Sequence, residues 1–322
     1  MDMLTLGTRG SELALFQARA VADLLRDREG VACEIAVIKT SGDRLAEATL
    51  SEIGGKRLFV KEIEDALLEG AIDLAVHSSK DMPAVLPRGL ALGAVLARED
   101  ARDAIVLPGA AGSLSLDDVI RHLGRAPRIG TSSVRRTAQL RRMFPGARFL
   151  PIRGNLDTRL RKLDAGEFDA IVLAAAGLKR LERESRISAA LPPDACVPPP
   201  GQGIIAVEIR EDDERVRGVV ARINEPVSAA ALSAERALVV RLGGGCQMPI
   251  GAFATEIGGE LRMTAIVVSV DGSRAARAET RGPMSAAEQV GIDAAEQLLA
   301  RGAADILADV EQTQGAVEGL QP

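Results

Sequence analysis

Aromatic side chains are scarce in this chain of 322 residues, which has six phenylalanines and no tryptophan or tyrosine. We therefore expect neither an aromatic platform for single-stranded nucleic acid nor an aromatic cage for an organic cation. Hydrophobic residues still make up 47% of the sequence, so aliphatic side chains must fill the interior. A chain of this length is typical of two or three domains rather than one compact core.

Net positive charge and long apolar runs are also missing. The formal charge is −5, so the surface as a whole repels phosphate backbones and anionic lipid, and any anion site must be a local cluster. No apolar run approaches the ~18 residues that a membrane-spanning helix needs. The N-terminal segment lacks the basic and then apolar order of an export signal. We expect a cytoplasmic protein with neither nucleic acid nor membrane as a partner.

Cysteine and histidine are too few to build a disulfide framework or a metal centre. The three cysteines, Cys33, Cys196 and Cys246, are widely separated and odd in number, which argues against paired disulfides. The two histidines, His77 and His122, fit no metal-ligand spacing with them. No metal site is expected.

Short aliphatic strand patterns alternate with helical patterns through the first two thirds of the chain. Segments such as "MLTLGT", "CEIAVIKTS" and "IDLAVHSS" are separated by helical periodicity, which predicts βαβ units and a mainly parallel sheet. The alternation resumes after "AREDARDAIVL" and indicates a second α/β domain. From residue 226 an alanine-rich helix, a glycine loop, alternating strands and terminal helices predict a third, α+β domain.

Hydroxyl and basic side chains cluster where the predicted strands end. Ligands bind beyond the carboxyl ends of parallel strands, where helix N-termini present free N–H groups. Arginine suits carboxylates because its planar fork binds them through two hydrogen bonds. A single arginine at a helix start is usually a solvated residue, but the repetition predicts a site for several carboxylates or phosphates in a cleft between two domains. The residues at these junctions are Thr8, Arg9, Ser11, Ser78, Ser79, Lys80, Thr131, Ser132, Ser133, Arg135, Arg136, Arg153, Asn155, Arg159, Lys179 and Arg180.

Two residues in these loops have both an ordinary and a functional interpretation. Asp81 is an acid among many bases, so it is either a helix cap or ion-pair partner of Lys80, or a group that stabilises a cationic intermediate and moves protons. Cys246 follows three glycines in "GGGCQMPIG". Because glycines leave room for a bulky group, this loop favours a reactive or covalently modified thiol over a small buried hydrophobe.

The motifs together resemble the hydroxymethylbilane synthase family, also called porphobilinogen deaminase. The resemblance extends from "LGTRGSELAL" nearly to the C-terminus and rests on "GGKRLFVKE", "AVHSSKDMP", "GTSSVRR", "IRGNLDTRL", "LAAAGLKRL" and "GGGCQMPIG". It implies a transferase of tetrapyrrole (haem and chlorophyll) biosynthesis that condenses four porphobilinogen molecules head to tail, with loss of ammonia at each step. Hydrolysis then frees linear hydroxymethylbilane. It also implies a dipyrromethane primer covalently attached to Cys246 by a thioether.

The resemblance assigns roles to individual residues. Asp81 is implied as the catalytic residue, which assists loss of the amine and stabilises the azafulvene cation. The implied cofactor-binding residues are Cys246, Lys80, Asp81, Thr131, Ser132, Ser133, Arg135, Arg136 and Gln202. The implied substrate-binding residues are Arg9, Ser11, Lys56, Phe59, Arg153, Arg159 and Arg180. The sequence departs from some members at Glu52, where they have a basic residue, so the loop of residues 42–57 is not uniformly positive.

The family fold implies the domain boundaries. Two domains like those of periplasmic binding proteins are expected, with mainly parallel sheets and strands that cross between them, and the third domain carries Cys246. By this analogy residues 1–98 and 203–221 form domain 1, residues 99–202 form domain 2, and residues 222–322 form domain 3. A monomer with porphobilinogen as its small-molecule partner is expected.

Two rival functions remain open at this stage. A non-catalytic anion-binding protein of the same two-domain fold predicts no covalent adduct and no role for Cys246. An enzyme that forms a Schiff base between Lys80 and pyridoxal phosphate predicts visible absorbance that is lost when Lys80 is replaced.

Overall fold

The computed structural model describes residues 3–41, 60–109, 112–244 and 248–318, with side chains through residue 312. Its strands are β1 (Leu4–Thr8), β2 (Cys33–Val37), β3 (Leu74–Ser78), β4 (Leu90–Val95), β5 (Asp103–Val106), β6 (Arg128–Gly130), β7 (Arg148–Leu150), β8 (Ala170–Ala174), β9 (Ala189–Ala190), β10 (Ile205–Arg210), β11 (Ile250–Ile257), β12 (Glu260–Val268) and β13 (Ala275–Pro283). Its α-helices are α1 (Glu12–Glu29), α2 (Lys61–Leu68), α3 (Leu116–Leu123), α4 (Val134–Arg141), α5 (Leu156–Asp164), α6 (Ala175–Arg180), α7 (Glu214–Val220), α8 (Pro226–Arg241), α9 (Ala287–Ala300) and α10 (Ala303–Glu318).

The first sheet has the order β2-β1-β3-β10-β4. β1 pairs in parallel with β2 and β3, whereas β10 runs antiparallel to β3 and β4. On α1, Ala18, Val21 and Leu25 recur at helical spacing and are buried against one face of this sheet. Ile63 and Leu67 of α2 belong to the core on the other face. Each fully buried aliphatic side chain contributes roughly 1.5–3 kcal/mol, so aliphatic packing holds this layer without aromatic residues.

The second sheet repeats this plan with the order β7-β6-β8-β5-β9. Here β6 is parallel to β7 and β8, and β5 is antiparallel to β8 and β9. In both sheets the antiparallel strand is the one that the chain enters after crossing from the other sheet. The two crossing segments touch, since the Glu99 backbone N–H donates to the Gly203 carbonyl over 3.0 Å. Gly203 has φ +88°, and a Cβ there would collide with the Glu99 carbonyl, so glycine is required at this contact.

The third sheet, β11-β12-β13, is antiparallel throughout. α8 and α9 pack together over it around small residues, among them Ala234, Ala294 and Ala295. At Gly291 a Cβ would collide with the Ala234 carbonyl, which explains a glycine in the middle of α9. Helices can approach this closely only where side chains are small.

The prediction of mainly parallel α/β sheets followed by an α+β unit is confirmed. The predicted domain boundaries stay a prediction. Among the described residues, no helix is long and apolar enough to cross a membrane, and no three histidine, cysteine or acidic side chains are grouped as metal ligands. Cys33 is half-buried and packs against the first core, Cys196 is buried, and both thiols are free.

Candidate functional site

The loops after β1, β3, β6, β7 and β8 carry the predicted site residues, and local capping explains their shape. Ser11, Ser133 and Asn155 are the N-caps of α1, α4 and α5. Each side-chain oxygen accepts from a backbone N–H three residues ahead, over 3.3 Å, 3.4 Å and 2.9 Å respectively. The hydroxyl and amide groups at the predicted anion site thus also cap the helices that begin there.

Lys80 and Asp81 lie in a 3-10 turn that directly follows β3. Lys80 is half-buried and Asp81 is exposed. The pKa of Lys80 is lowered to about 8, mainly by burial; the charges of Arg136 and Arg159 act in the same direction, while those of Asp81 and Asp103 oppose the shift. Burial lowers the pKa of Arg159 to about 10, with a further contribution from Arg136 and, more weakly, from Arg153. The structure therefore brings Lys80, Asp81, Arg136, Arg153 and Arg159 into one electrostatic neighbourhood.

Arg135 and Arg136 converge on Asp103, the first residue of β5. Asp103 is completely buried, and the arginines are 4% and 8% exposed. Oδ2 accepts from Arg135 Nη2 at 2.7 Å, and Oδ1 accepts from Arg136 Nε at 3.0 Å and Nη2 at 2.7 Å. Burial by itself raises the pKa of Asp103, but the two guanidinium charges hold it well below its usual range. The role of these arginines as carboxylate binders stays a prediction, and in this structure they also form a buried ion-pair cluster.

Gln202 connects this cluster to Lys80. It is buried on the crossing segment that leads into β10, and its Nε2 donates to the Ala101 carbonyl at 2.7 Å and to Asp103 Oδ1 at 3.0 Å. Its Oε1 accepts from Lys80 Nζ at 3.3 Å. The family resemblance implies that Gln202 lies near the cofactor. In the structure, both the oxygen and the nitrogen of its side-chain amide are hydrogen-bonded to other protein groups.

The remaining predicted residues occupy the surrounding loops. Ser132 is exposed, and its hydroxyl donates to the Ile152 carbonyl at 2.8 Å. Thr131 is buried, and its Oγ1 accepts from the Ser133 backbone N–H at 3.2 Å. Arg180 Nη2 donates to the Gly203 carbonyl at 2.7 Å, and burial lowers the pKa of its guanidinium to about 10.

The first and second sheets also meet near these loops. α1 contacts α6, and a Cβ on Gly177 would lie 3.6 Å from Leu13. This contact brings Ser11, at the start of α1, and Arg180, at the end of α6, toward the same part of the molecule. Arg9 and Arg153 are half-buried in the neighbouring loops.

Cys246, Lys56 and Phe59 lie outside the described residues, as does the whole loop of residues 42–57. The cofactor attachment at Cys246 and the contacts of Lys56 and Phe59 therefore stay predictions.

Sequence reasoning missed three charged residues that organise the crossing segments, two of them buried acids and the third a half-buried arginine. Asp103 is one of them. Arg98 and Glu235 form a two-hydrogen-bond ion pair over 2.7 Å and 3.0 Å. The Glu235 carboxylate also accepts from the backbone N–H groups of Gly201 at 2.6 Å and Ala254 at 2.7 Å. Two features of the sequence could have indicated these residues. Glu235 is an acid inside the apolar pattern "SAERALVV", and Asp103 is an acid at the start of the strand "DAIVL".

The donor set fits a ligand with several carboxylates. Lys80, Arg136 and Arg159 carry positive charge in a partly buried setting, where ion pairing is stronger than at an open surface. Hydroxyl and backbone N–H donors at helix starts adjoin them. Asp81 adds one exposed acid to this cationic surface. These are the properties expected of a site for a carboxylate-bearing pyrrole chain.

Comparisons with known proteins identify the family. Residues 4–218 match the family model described as "Porphobilinogen deaminase, dipyromethane cofactor binding domain", and residues 229–300 match the model of the porphobilinogen deaminase C-terminal domain. The porphobilinogen deaminase of Geobacter metallireducens is 45% identical over 316 residues, which cover 98% of this chain and 97% of that protein.

Solved structures with lower similarity were also found. Substrate binding domain 2 of GlnP from Lactococcus lactis matches with a TM-score of 0.44 and 11% identity, over 70% of this chain and 87% of that chain. The VFT2 domain of BvgS from Bordetella pertussis matches with a TM-score of 0.42 and 16% identity, over 69% and 86% of the two chains. The family models and the deaminase relative cover nearly the whole sequence, and on that basis this chain belongs to the porphobilinogen deaminase family.

Proposed function

We propose that this chain is a hydroxymethylbilane synthase. The reaction joins four porphobilinogen molecules and one water to give hydroxymethylbilane and four ammonia. The observation that carries the proposal is the cationic cluster of Lys80, Arg136 and Arg159 beside the exposed acid Asp81, in a chain that is 45% identical to a porphobilinogen deaminase along 98% of its length.

The cationic residues bind the acetate and propionate groups of the pyrrole rings. Charge-assisted hydrogen bonds contribute roughly 1.5–3 kcal/mol each, so several together hold a polyanion that water solvates well. Arg136 has N–H groups left for this purpose, since Nε and one N–H of Nη2 go to Asp103 and one N–H of Nη1 goes to the Val172 carbonyl. We assign the outer contacts to Arg9, Ser11, Lys56, Phe59, Ser132, Arg153, Arg159 and Arg180.

Asp81 is the proposed catalytic residue. Its carboxylate accepts a hydrogen bond from the pyrrole N–H of the substrate. It also balances the positive charge that develops on that ring when the amino group leaves as ammonia and the methylene carbon stays on the ring. Its exposure gives the substrate direct access.

Cys246 would hold the dipyrromethane cofactor through a thioether. When bound, the cofactor supplies the free pyrrole position to which the first substrate ring is joined. Lys80, Ser132 and Arg136 would bind its carboxylates, while Thr131, Ser133, Arg135 and Gln202 would hold the loops and side chains that make those contacts. We further propose that the protein acts as a monomer in the cytoplasm, which is the expectation for the family.

Product stoichiometry tests the proposed function. The purified protein, incubated with porphobilinogen, should release four ammonia for each hydroxymethylbilane formed. Binding of porphobilinogen without ammonia release would instead support an anion-binding protein. Visible absorbance that disappears on Lys80→Met would support the Schiff-base alternative.

Lys80 predicts a pH dependence of binding. With a pKa of about 8, its ammonium charge is present below that pH and lost as pH rises through it, whereas the substrate carboxylates stay ionised. In Cys246→Ser protein, which lacks a tethered arm, porphobilinogen binding measured by calorimetry should weaken from pH 7 to pH 9 by about tenfold. Lys80→Arg in the same background should remove this dependence, because a guanidinium stays charged.

Lys179 provides the matched control for this titration. Its ammonium pairs with Asp100, which raises its pKa, so Lys179→Arg should leave the dependence unchanged. Binding that is flat from pH 7 to pH 9 in the Lys80-containing protein would contradict the assignment.

A further inference from the structure

Asp103 is a buried acid near the site that accepts hydrogen bonds from Arg135, Arg136 and Gln202. No sequence motif assigns it a role. It opens β5, where the chain crosses from the first sheet into the second, and none of its surface is exposed. Its backbone pairs with Ala174 of β8, so the sheet fixes its position independently of its side-chain partners.

A single carboxylate here holds two adjacent guanidinium groups. Oδ2 accepts from Arg135, which also donates to the Val197 carbonyl at 2.7 Å, and Oδ1 accepts from Arg136. The three side chains together carry one net positive charge. Without the carboxylate, two like charges would face each other in a buried setting, which costs free energy and would push their side chains apart.

Asp103 also fixes the orientation of Gln202. The Gln202 Nε2 faces two acceptors, Asp103 Oδ1 and the Ala101 carbonyl, so its Oε1 must face Lys80, where it accepts from Nζ. If the amide were reversed, oxygen would face oxygen and nitrogen would face an ammonium. The orientation of the acceptor beside Lys80 is therefore set by the Asp103 carboxylate together with the Ala101 carbonyl.

We propose that Asp103 is a positioning residue that directs the free N–H groups of Arg136 and, through Gln202, the ammonium of Lys80 toward the ligand carboxylates. This inference rests on the proposed function for its substrate. It assigns Arg135 to the support of Asp103, since Arg135 is only 4% exposed and its terminal nitrogens contact Asp103, the Val197 carbonyl and the Cys196 thiol. A carboxylate is required because an amide cannot accept from both guanidinium groups without turning its own N–H₂ toward one of them.

The test compares Asp103→Asn with Asp100→Asn in the full-length, cofactor-loaded protein. Asp100 is a matched control on the same crossing segment, where it pairs with Arg102 at 2.7 Å and Lys179 at 3.1 Å and is not among the charges that shift the pKa of Lys80. Turnover is expressed per cofactor-loaded molecule, counted by intact mass. We expect Asp103→Asn to raise KM by at least about tenfold and to change kcat less, and Asp100→Asn to leave both near their original values.

The pH profile separates positioning from a purely structural role. The charged groups facing Lys80 are Asp81 on its own turn, Arg136 on α4, Arg159 on α5 and Asp103 on β5. Without the Asp103 charge, the effect of Arg136 and Arg159 on the pKa of Lys80 is opposed only by Asp81. The basic limb of kcat/KM should therefore move to lower pH by about one unit relative to the wild-type protein. The proposal would be overturned if Asp103→Asn lost thermal stability but had the same KM and pH profile as Asp100→Asn.

Gln202→Leu keeps the proposal testable if Asp103→Asn does not fold. It leaves the ion pairs of Asp103 intact and removes the acceptor from Lys80, so KM should rise by about threefold or more. An unchanged KM in this folded variant would overturn the link to Lys80. Absence of ammonia release by the unchanged protein would overturn the proposed function itself, whereas an active protein whose variants match the control would overturn only this inference.

Discussion

Asp81→Asn should yield a folded, cofactor-loaded protein whose turnover falls by about 10²- to 10⁴-fold. The amide keeps the size of the side chain but removes the negative charge that the substrate cation needs when ammonia leaves. Because Asp81 is exposed in the turn after β3, replacing it should change the free energy of unfolding by well under 1 kcal/mol. The loss should therefore appear in kcat, measured as ammonia release, and leave the covalent adduct in place.

Asp169→Asn is the control for this variant. Asp169 is an accessible acid like Asp81, but it pairs with Arg128 at 2.8 Å and is not among the charges that act on Lys80 or Arg159. Its turnover should equal that of the unchanged protein. If Asp81→Asn turned over at the original rate, Asp81 would have no catalytic role, and the alternative of an ion-pair partner for Lys80 would stand.

Cys246→Ser should abolish both the adduct and turnover. A thioether requires a thiolate as nucleophile, and a serine hydroxyl is far weaker because it remains protonated at neutral pH. Lys80, Arg136 and Arg159 would then keep their charges without the carboxylates of a tethered arm. Since a bound ligand stabilises the folded state by mass action, we expect the variant also to melt several degrees below the loaded protein.

Cys33→Ser separates the attachment site from the general effect of losing a thiol. Cys33 is a half-buried free thiol on β2, in the first sheet. This variant should retain the adduct and turnover. Cys196 is a poorer control, because it is buried and its Sγ lies 3.5 Å from both Asp103 Oδ2 and Arg135 Nη1.

The general architecture could be predicted because its causes are local. Runs such as Leu4–Thr8 and Ala170–Ala174 are short and aliphatic, and α1 repeats its apolar residues at helical spacing. Strands and helices in alternation leave parallel pairing as the main option. The loops that end these strands could therefore be named as ligand-binding loops before any contact was known.

The antiparallel strands could not be foreseen from their own residues. β5 and β10 have the same aliphatic character as their parallel neighbours, with buried side chains along most of their length. Their direction follows from the chain crossing between sheets, which depends on contacts between residues about 100 positions apart, such as Glu99 with Gly203. Periodicity reports burial and does not report strand direction.

The partners of the buried charges were also beyond local reasoning. The sequence pattern identified Arg135 and Arg136 as basic residues at a helix start. It did not show that both would donate hydrogen bonds to Asp103, more than 30 positions earlier in the chain. The same holds for Arg98 and Glu235, which are 137 positions apart. Such pairs form because a charge cannot be buried without a partner, and the choice of partner is made by the tertiary fold.

Intact mass under denaturing conditions tests the central claim most directly. The unchanged protein should be heavier than its sequence by two porphobilinogen units less two ammonia, and Cys246→Ser should have the mass of its sequence alone. An active unchanged protein without added mass, or an adduct retained in Cys246→Ser, would contradict a thiol-tethered pyrrole arm held in the cationic cleft.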